Sequence, residues 1–233
     1  MGRFLVIDGL DGSGKETQTK LLTNYLEGMG KRVRVLSFPC YESQSSLFVR
    51  MYLNGELGRR PDDTNAYAAS SFFAADRYLS YRLDWKKDID DPDTVVIANR
   101  YTTANAVHQL AKLPEEEWDA FLSWLWDYEF SKLGIPVPDE ILYLEMLPEI
   151  SIRLIQSRAD TTGRLIDIHE ADKSFLHRSY RAAMYASEKL HWTRIRCYRD
   201  SEPKSREEIT EDICKALGLS HTKGAADNAP QDA

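Results

Sequence analysis

The residues with the clearest chemical use lie near the amino end. Gly9, Gly12, Ser13, Gly14 and Lys15 belong to Gly9-Leu10-Asp11-Gly12-Ser13-Gly14-Lys15, which fits G-x-x-x-x-G-K. Glycines let successive backbone N–H groups converge on phosphate oxygens with no Cβ in the way. A helix starting at the lysine adds the positive end of its dipole to the same anion. Lys15 is a mobile cation suited to the β and γ phosphates of a nucleotide such as ATP. A Ser or Thr that binds Mg²⁺ ordinarily follows this lysine. Here Glu16 follows, then Thr17. Three readings stay open: Glu16 binds the metal, Thr17 is the effective ligand, or the site has lost catalytic Mg²⁺.

Such a loop works only between a buried strand and a helix. Phe4-Leu5-Val6-Ile7 is a short apolar run without alternation, as in a parallel-sheet strand covered on both faces. Further strands are expected at 31–38, 94–98, 141–144 and 193–198. Helical patterns occupy about 15–26, 66–85, 115–131, 147–158, 171–190 and 206–217. The alternation implies an α/β fold, a doubly wound parallel five-stranded sheet with flanking helices. One domain is expected over 1–219, and the polar, apolar-poor stretch 220–233 reads as a disordered tail.

Lys plus Arg number 30 and Asp plus Glu 37, a net charge of −7 that argues against a general nucleic-acid binder or a basic membrane-surface protein. No apolar run approaches the roughly 20 residues of a membrane span. The first seven residues lack a signal-peptide pattern. Cys40, Cys197 and Cys214 have neither paired nor metal-ligand spacing, so a reducing, cytoplasmic setting is the expectation.

Four segments in order carry a resemblance. They are Gly9 through Gln18, then Phe38-Pro39, then Phe73-Ala74-Ala75-Asp76-Arg77, then Asn99-Arg100-Tyr101 running on to Asn105 and Gln109. Together with Pro138 through Leu144 they resemble the thymidylate kinase family of P-loop nucleoside monophosphate kinases. The resemblance covers about residues 3–218 and implies phosphoryl transfer from ATP to dTMP, with Mg²⁺, in a homodimer. It implies that Asp11 accepts a hydrogen bond from the acceptor's 3′-hydroxyl and that Phe73 stacks on the base. Phe72, adjacent on the helix, then enters the core. Arg77 would reach the base edge or monophosphate, with an ion pair to Asp76 as the bland alternative. Asn105 would pair with the thymine edge, Gln109 would add a polar contact, and Phe38 and Pro39 would shape the pocket. The resemblance leaves a cis Phe38–Pro39 bond open, whereas from sequence alone the bond is expected to be trans.

Arg100 directly follows a strand, at the end where parallel sheets bind ligands, and a guanidinium can grip a phosphate bidentately. Neutralising it is expected to matter far more than removing a surface lysine such as Lys112. Arg50 is a weaker second phosphate candidate. The family usually has Asp where Asn99 stands, so the site is read as keeping its carboxylate count by moving one to Glu16. His108 falls where a Tyr often excludes the 2′-hydroxyl, which opens deoxy-over-ribo selection. The transferring group needs cations; the phosphate loop holds no arginine, and the resemblance then implies that a lid at about 158–169 supplies them. Arg158 and Arg164 are the candidates, with Arg153 an ordinary surface residue. Residues 167–170 read as a helix start. Trp118, Trp124 and Trp126 read as core or subunit interface. Two other outcomes stay open: another nucleotide or nucleoside kinase of this fold, or a catalytically silent nucleotide-binding module.

Overall fold

The computed structural model describes residues 2–162 and 168–219. Strand β1 (Arg3–Gly9) is buried from Phe4 onward, as its unbroken apolar run requires. Helix α1 (Lys15–Gly28) follows it, then β2 (Arg32–Ser37), α2 (Leu47–Leu53) and α3 (Ala66–Ser80). A π turn (Tyr81–Trp85) leads into α4 (Lys86–Asp90), β3 (Thr94–Asn99) and α5 (Thr102–His108). Next come α6 (Trp118–Trp126), a second π turn (Asp127–Lys132) and β4 (Glu140–Glu145). The chain continues as α7 (Pro148–Thr162), α8 (Ile168–Ala171), α9 (Lys173–Lys189) and β5 (Thr193–Arg196). A small ribbon of β6 (Tyr198–Arg199) and β7 (Glu202–Pro203) precedes α10 (Arg206–Ala216).

The five long strands form one parallel sheet in the order β2-β3-β1-β4-β5. The period of two splits β1 between two cores. Leu5 and Ile7 pack with Leu22 and Leu26 of α1 and Ile213 of α10. Phe4 and Val6 pack on the other face with Trp85 and Ile89. Truncating Ile7 to Ala would cost about 2–5 kcal/mol, because a cavity would be left between sheet and helix. Register sets the ligand edge: Ile7 pairs with Asn99 and Gly9 with Leu144. The phosphate loop and Arg100 therefore leave neighbouring strands side by side.

Several expectations are corrected. The stretch 158–162 is helical rather than a loop, for no Gly or Pro interrupts it before Gly163. Within it Gln156 donates to Asp160 at 2.9 Å and Thr161 to the Ser157 carbonyl at 2.8 Å. The fifth strand ends at Arg196, where the chain turns into the β6–β7 ribbon. The Phe38–Pro39 bond is cis, not trans. Trp118 and Trp124 belong to the core around Phe121, whereas Trp126 is largely exposed. The expected tail, 220–233, lies outside the described residues.

Candidate active site

The phosphate loop turns sharply between β1 and α1. Gly12 has φ 79°, and a Cβ there would stand 2.9 Å from the Ser151 carbonyl, so both backbone and space demand glycine. A Cβ on Gly9 would fall 2.6 Å from Ser13 Oγ and 2.7 Å from the Leu144 carbonyl. Gly14 is left-handed and precedes the first turn of α1. Ser13 Oγ is buried with no partner among the described residues, an open donor inside the glycine cradle that suits a phosphate oxygen. Lys15 is buried and donates to the carbonyls of Gly9 at 2.9 Å and Leu10 at 2.8 Å. Burial, then the neighbouring Arg100, lowers its ammonium to about 8, and Arg158 adds to the same effect.

Glu16 is exposed in the first turn of α1 and Thr17 is half-buried beside it. Both offer oxygen donors. Mg²⁺ takes few protein ligands and completes its octahedron with phosphate oxygens and water, so this donor set fits it. Among the described residues, no group of three or more His, Cys, Asp or Glu side chains could hold a metal alone. The Asn99 position is also clarified. Asp8, one strand over, is fully buried there; it accepts from Gly9 N at 2.7 Å and from the Thr103 hydroxyl. A buried carboxylate therefore persists at this edge without Asp at 99. Its signal was a charged residue ending an apolar strand.

Arg100 holds a left-handed backbone, φ 68°, that only a few per cent of non-glycine residues adopt. Its N–H is fixed by the Ile7 carbonyl at 3.0 Å. Such strain persists where the surroundings over-determine it, and it clusters at functional sites. The guanidinium pairs with Asp11, meets His108 Nε2 at 3.0 Å and lies 3.8 Å from Asp8. Burial alone would raise the Asp11 carboxyl, but Arg100 and then Lys15 hold it well below the usual carboxylate range. Asp11, Lys15, Arg100 and His108 are thus brought together.

Other expected residues are placed differently. Arg77 is 1% exposed and forms a two-pronged ion pair with Glu129, at 2.7 and 2.6 Å, while its third nitrogen reaches the Tyr101 carbonyl at 3.2 Å. Its ion-pair partner is Glu129 rather than Asp76. Asn105 donates to the same Glu129 at 3.0 Å and to the Ser70 carbonyl at 3.2 Å, so its amide hydrogens are committed inside the protein. Both residues turn inward because Glu129, fully buried on the second π turn, needs compensating donors. An acid within the aromatic run Trp124 to Phe130 was the available signal. Phe38 enters the core against Tyr101 and Trp85, and only Pro39 remains half-exposed. Phe73 and Phe72 are both half-buried; Phe73 meets Tyr52 edge-on at 6.1 Å and Phe72 meets Phe48. Gln109 is buried with neither amide atom partnered among the described residues.

Asp76 instead anchors the loop after Pro39, accepting from Cys40 N at 2.9 Å and from Ser45. Arg50 clamps that loop from one guanidinium nitrogen, through the Tyr41 and Ser43 carbonyls, both at 2.8 Å, and the Ser46 hydroxyl at 2.6 Å. Arg153 pairs with Glu202 on the surface, as expected. Arg158 reaches the buried Glu170 at 2.6 Å. Arg164 lies outside the described residues. His169 is buried, and Lys112 is not a surface lysine: it donates to Tyr52 at 2.8 Å and to the Thr64 carbonyl at 3.0 Å.

A parallel α/β sheet whose first strand delivers a glycine cradle and a lysine, beside a strand-end arginine, defines a P-loop phosphotransferase. The thymidylate kinase family model matches residues 7–209. A thymidylate kinase of Mycobacterium tuberculosis is 30% identical over 185 residues, 78% of this chain and 84% of that one. One from Plasmodium falciparum is 26% identical over 196 residues, 81% and 84% of the two chains. Among solved structures, thymidylate kinase from Candida albicans superposes with a TM-score of 0.65 at 20% identity, over 93% of this chain and 91% of that one. The chain belongs to the thymidylate kinase family.

Proposed function

We propose that this chain transfers the γ-phosphoryl group of ATP to dTMP, giving ADP and dTDP. The observation that carries the reading is the meeting of Lys15, Arg100 and Asp11 at the carboxyl edge of the sheet. Lys15 and the loop amides would hold the donor phosphates. Arg100 would exchange Asp11 for the acceptor phosphate and leave that carboxylate for a sugar hydroxyl. An acceptor phosphate oxygen then forms its bond to the γ phosphorus as the bond to the bridging oxygen of ADP breaks. Little covalent chemistry falls to the protein, whose task is positioning and charge neutralisation. Glu16 and Thr17 would hold Mg²⁺, which supplies charge neutralisation on the phosphates. Arg158, with Arg164, would supply further cations.

Phe73 would stack on the base. With Arg77 and Asn105 committed to Glu129, Gln109 is the polar side chain left to meet the base edge. That commitment also favours a second reading, in which the acceptor is another pyrimidine monophosphate. ADP formation across dTMP, dUMP, UMP, dCMP and thymidine, with Mg²⁺ titrated, tests both.

Exposed Leu47 and Phe48 of α2, Leu79 of α3 and Leu83 just beyond it support pairing of two copies into a homodimer. The unpaired thiols of Cys40, Cys197 and Cys214 suit the cytoplasm. No described helix is long and apolar enough to cross a membrane.

A further inference from the structure

Behind Arg100 runs a line of polar side chains that the phosphoryl-transfer reading leaves unused. His108 Nε2 is 3.0 Å from Arg100, and the His108 ring lies 5.2 Å from that of His169. His169 Nε2 is 2.7 Å from the Tyr52 hydroxyl, which is 2.8 Å from Lys112 Nζ. The direction of the bond between Arg100 and His108 follows from its donor. A guanidinium has nothing but hydrogens to offer. His108 Nε2 must therefore accept from Arg100, and the Lys112 amine donates to the Tyr52 oxygen. Tyr52 and His169 Nε2 then share a hydrogen bond whose donor is set by the imidazole tautomer. The His108 imidazole is thereby fixed as a neutral ring protonated at Nδ1. His108 Nδ1 is buried with no partner among the described residues.

The arrangement spans four elements. Tyr52 comes from α2, His108 from α5, His169 from α8, and Lys112 from the turn after α5. Packing alone would be served by apolar side chains in these places. Polar groups this deeply buried are costly unless each is held in a defined orientation. The one acceptor-facing group on the line is Arg100.

We propose that His108, His169, Tyr52 and Lys112 are positioning residues for the acceptor, aligning Arg100 for its phosphate. The proposal rests on Arg100 being the acceptor-phosphate arginine. Steady-state kinetics of Tyr52→Phe, His169→Leu, His169→Gln and Arg100→Lys test it. Tyr52→Phe keeps the buried ring and removes only the hydroxyl. It and His169→Leu should raise KM for dTMP by about five- to tenfold, with KM for ATP changed by less than about twofold. His169→Gln, which restores a hydrogen-bonding group near the Nε2 position, should recover most of that loss. Unchanged KM for dTMP in both Tyr52→Phe and His169→Leu would overturn the proposal. So would an equal rise in both KM values, the mark of general loosening. Arg100→Lys separates the two readings. If it raises KM for dTMP while the others do not, the positioning role alone fails. If it leaves KM for dTMP unchanged, the reading of Arg100 fails first.

Discussion

Arg100 and Asp11 form an ion pair that ties the end of β3 to the phosphate loop. The pair is largely buried, and its arginine holds a left-handed backbone. Two groups expected to serve the acceptor are thus stored against each other. Replacing Arg100 with Ala should raise KM for dTMP by about 10- to 100-fold, the worth of a charge-assisted phosphate contact. Initial rates at saturating ATP check this.

Lys15 titrates near 8 because burial and Arg100 oppose its charge. The free enzyme needs that charge to receive phosphates. kcat/KM for ATP should therefore fall above about pH 8, and kcat should hold to higher pH because bound phosphates favour the ammonium. The stability sign is opposite. The folded pKa lies below the unfolded value, so stability rises with pH from about 8 to 10.5 as the folded lysine loses its proton first. Lys15→Met should lower kcat by at least about a hundredfold.

The histidine pair predicts acid sensitivity. His169 is pushed down to about 3 by burial and then by Lys112, and His108 is held well below its ordinary value by burial and then by Arg100. Asp11 opposes both shifts, and Lys15 adds to that on His108. Their unfolded forms bind protons below about pH 6.5 while the folded forms do not. Stability should therefore fall as pH drops below about 6.5, by up to about 1.4 kcal/mol per pH unit for each ring. Urea melts from pH 7 to 5 on the native protein and on His169→Gln check the slope, which the substitution should reduce.

Arg77 and Glu129 define a structural prediction where the family resemblance pointed to substrate. Arg77→Met should destabilise the fold by about 3–5 kcal/mol, because Glu129 would remain buried and unpaired. The double change Arg77→Met with Glu129→Leu should regain much of that loss. Denaturant midpoints measure both, and the double variant should keep its KM for dTMP within about threefold of the native value.

Chelation should abolish ADP formation and restored Mg²⁺ should return it. Glu16→Ser should lower activity at limiting Mg²⁺, and adding Asn99→Asp should restore part of it. A coupling of about 0.5 kcal/mol or more between the two changes fits a shared metal environment, whereas strict additivity does not.

The phosphate loop was legible because its chemistry is local: three glycines, a serine and a lysine within seven residues, after an apolar strand. Arg100 was legible because strand ends mark ligand edges. The tie between Arg77 and Glu129 was not, since 52 residues and a π turn separate them. Lys112 looked like any surface lysine until Tyr52, 60 residues earlier, closed over it. His169 likewise gains its neighbours from α2 and α5. Local pattern reveals what a segment becomes, and burial of a charge is decided by partners far along the chain.

The most direct test of the central claim is Mg²⁺-dependent ADP formation measured across dTMP, dUMP, UMP, dCMP and thymidine. The highest kcat/KM is expected for dTMP, exceeding dUMP by about tenfold or more, as one recognised methyl group allows. Preference for thymidine or a ribonucleotide, or ATP binding with no turnover on any acceptor, would contradict it.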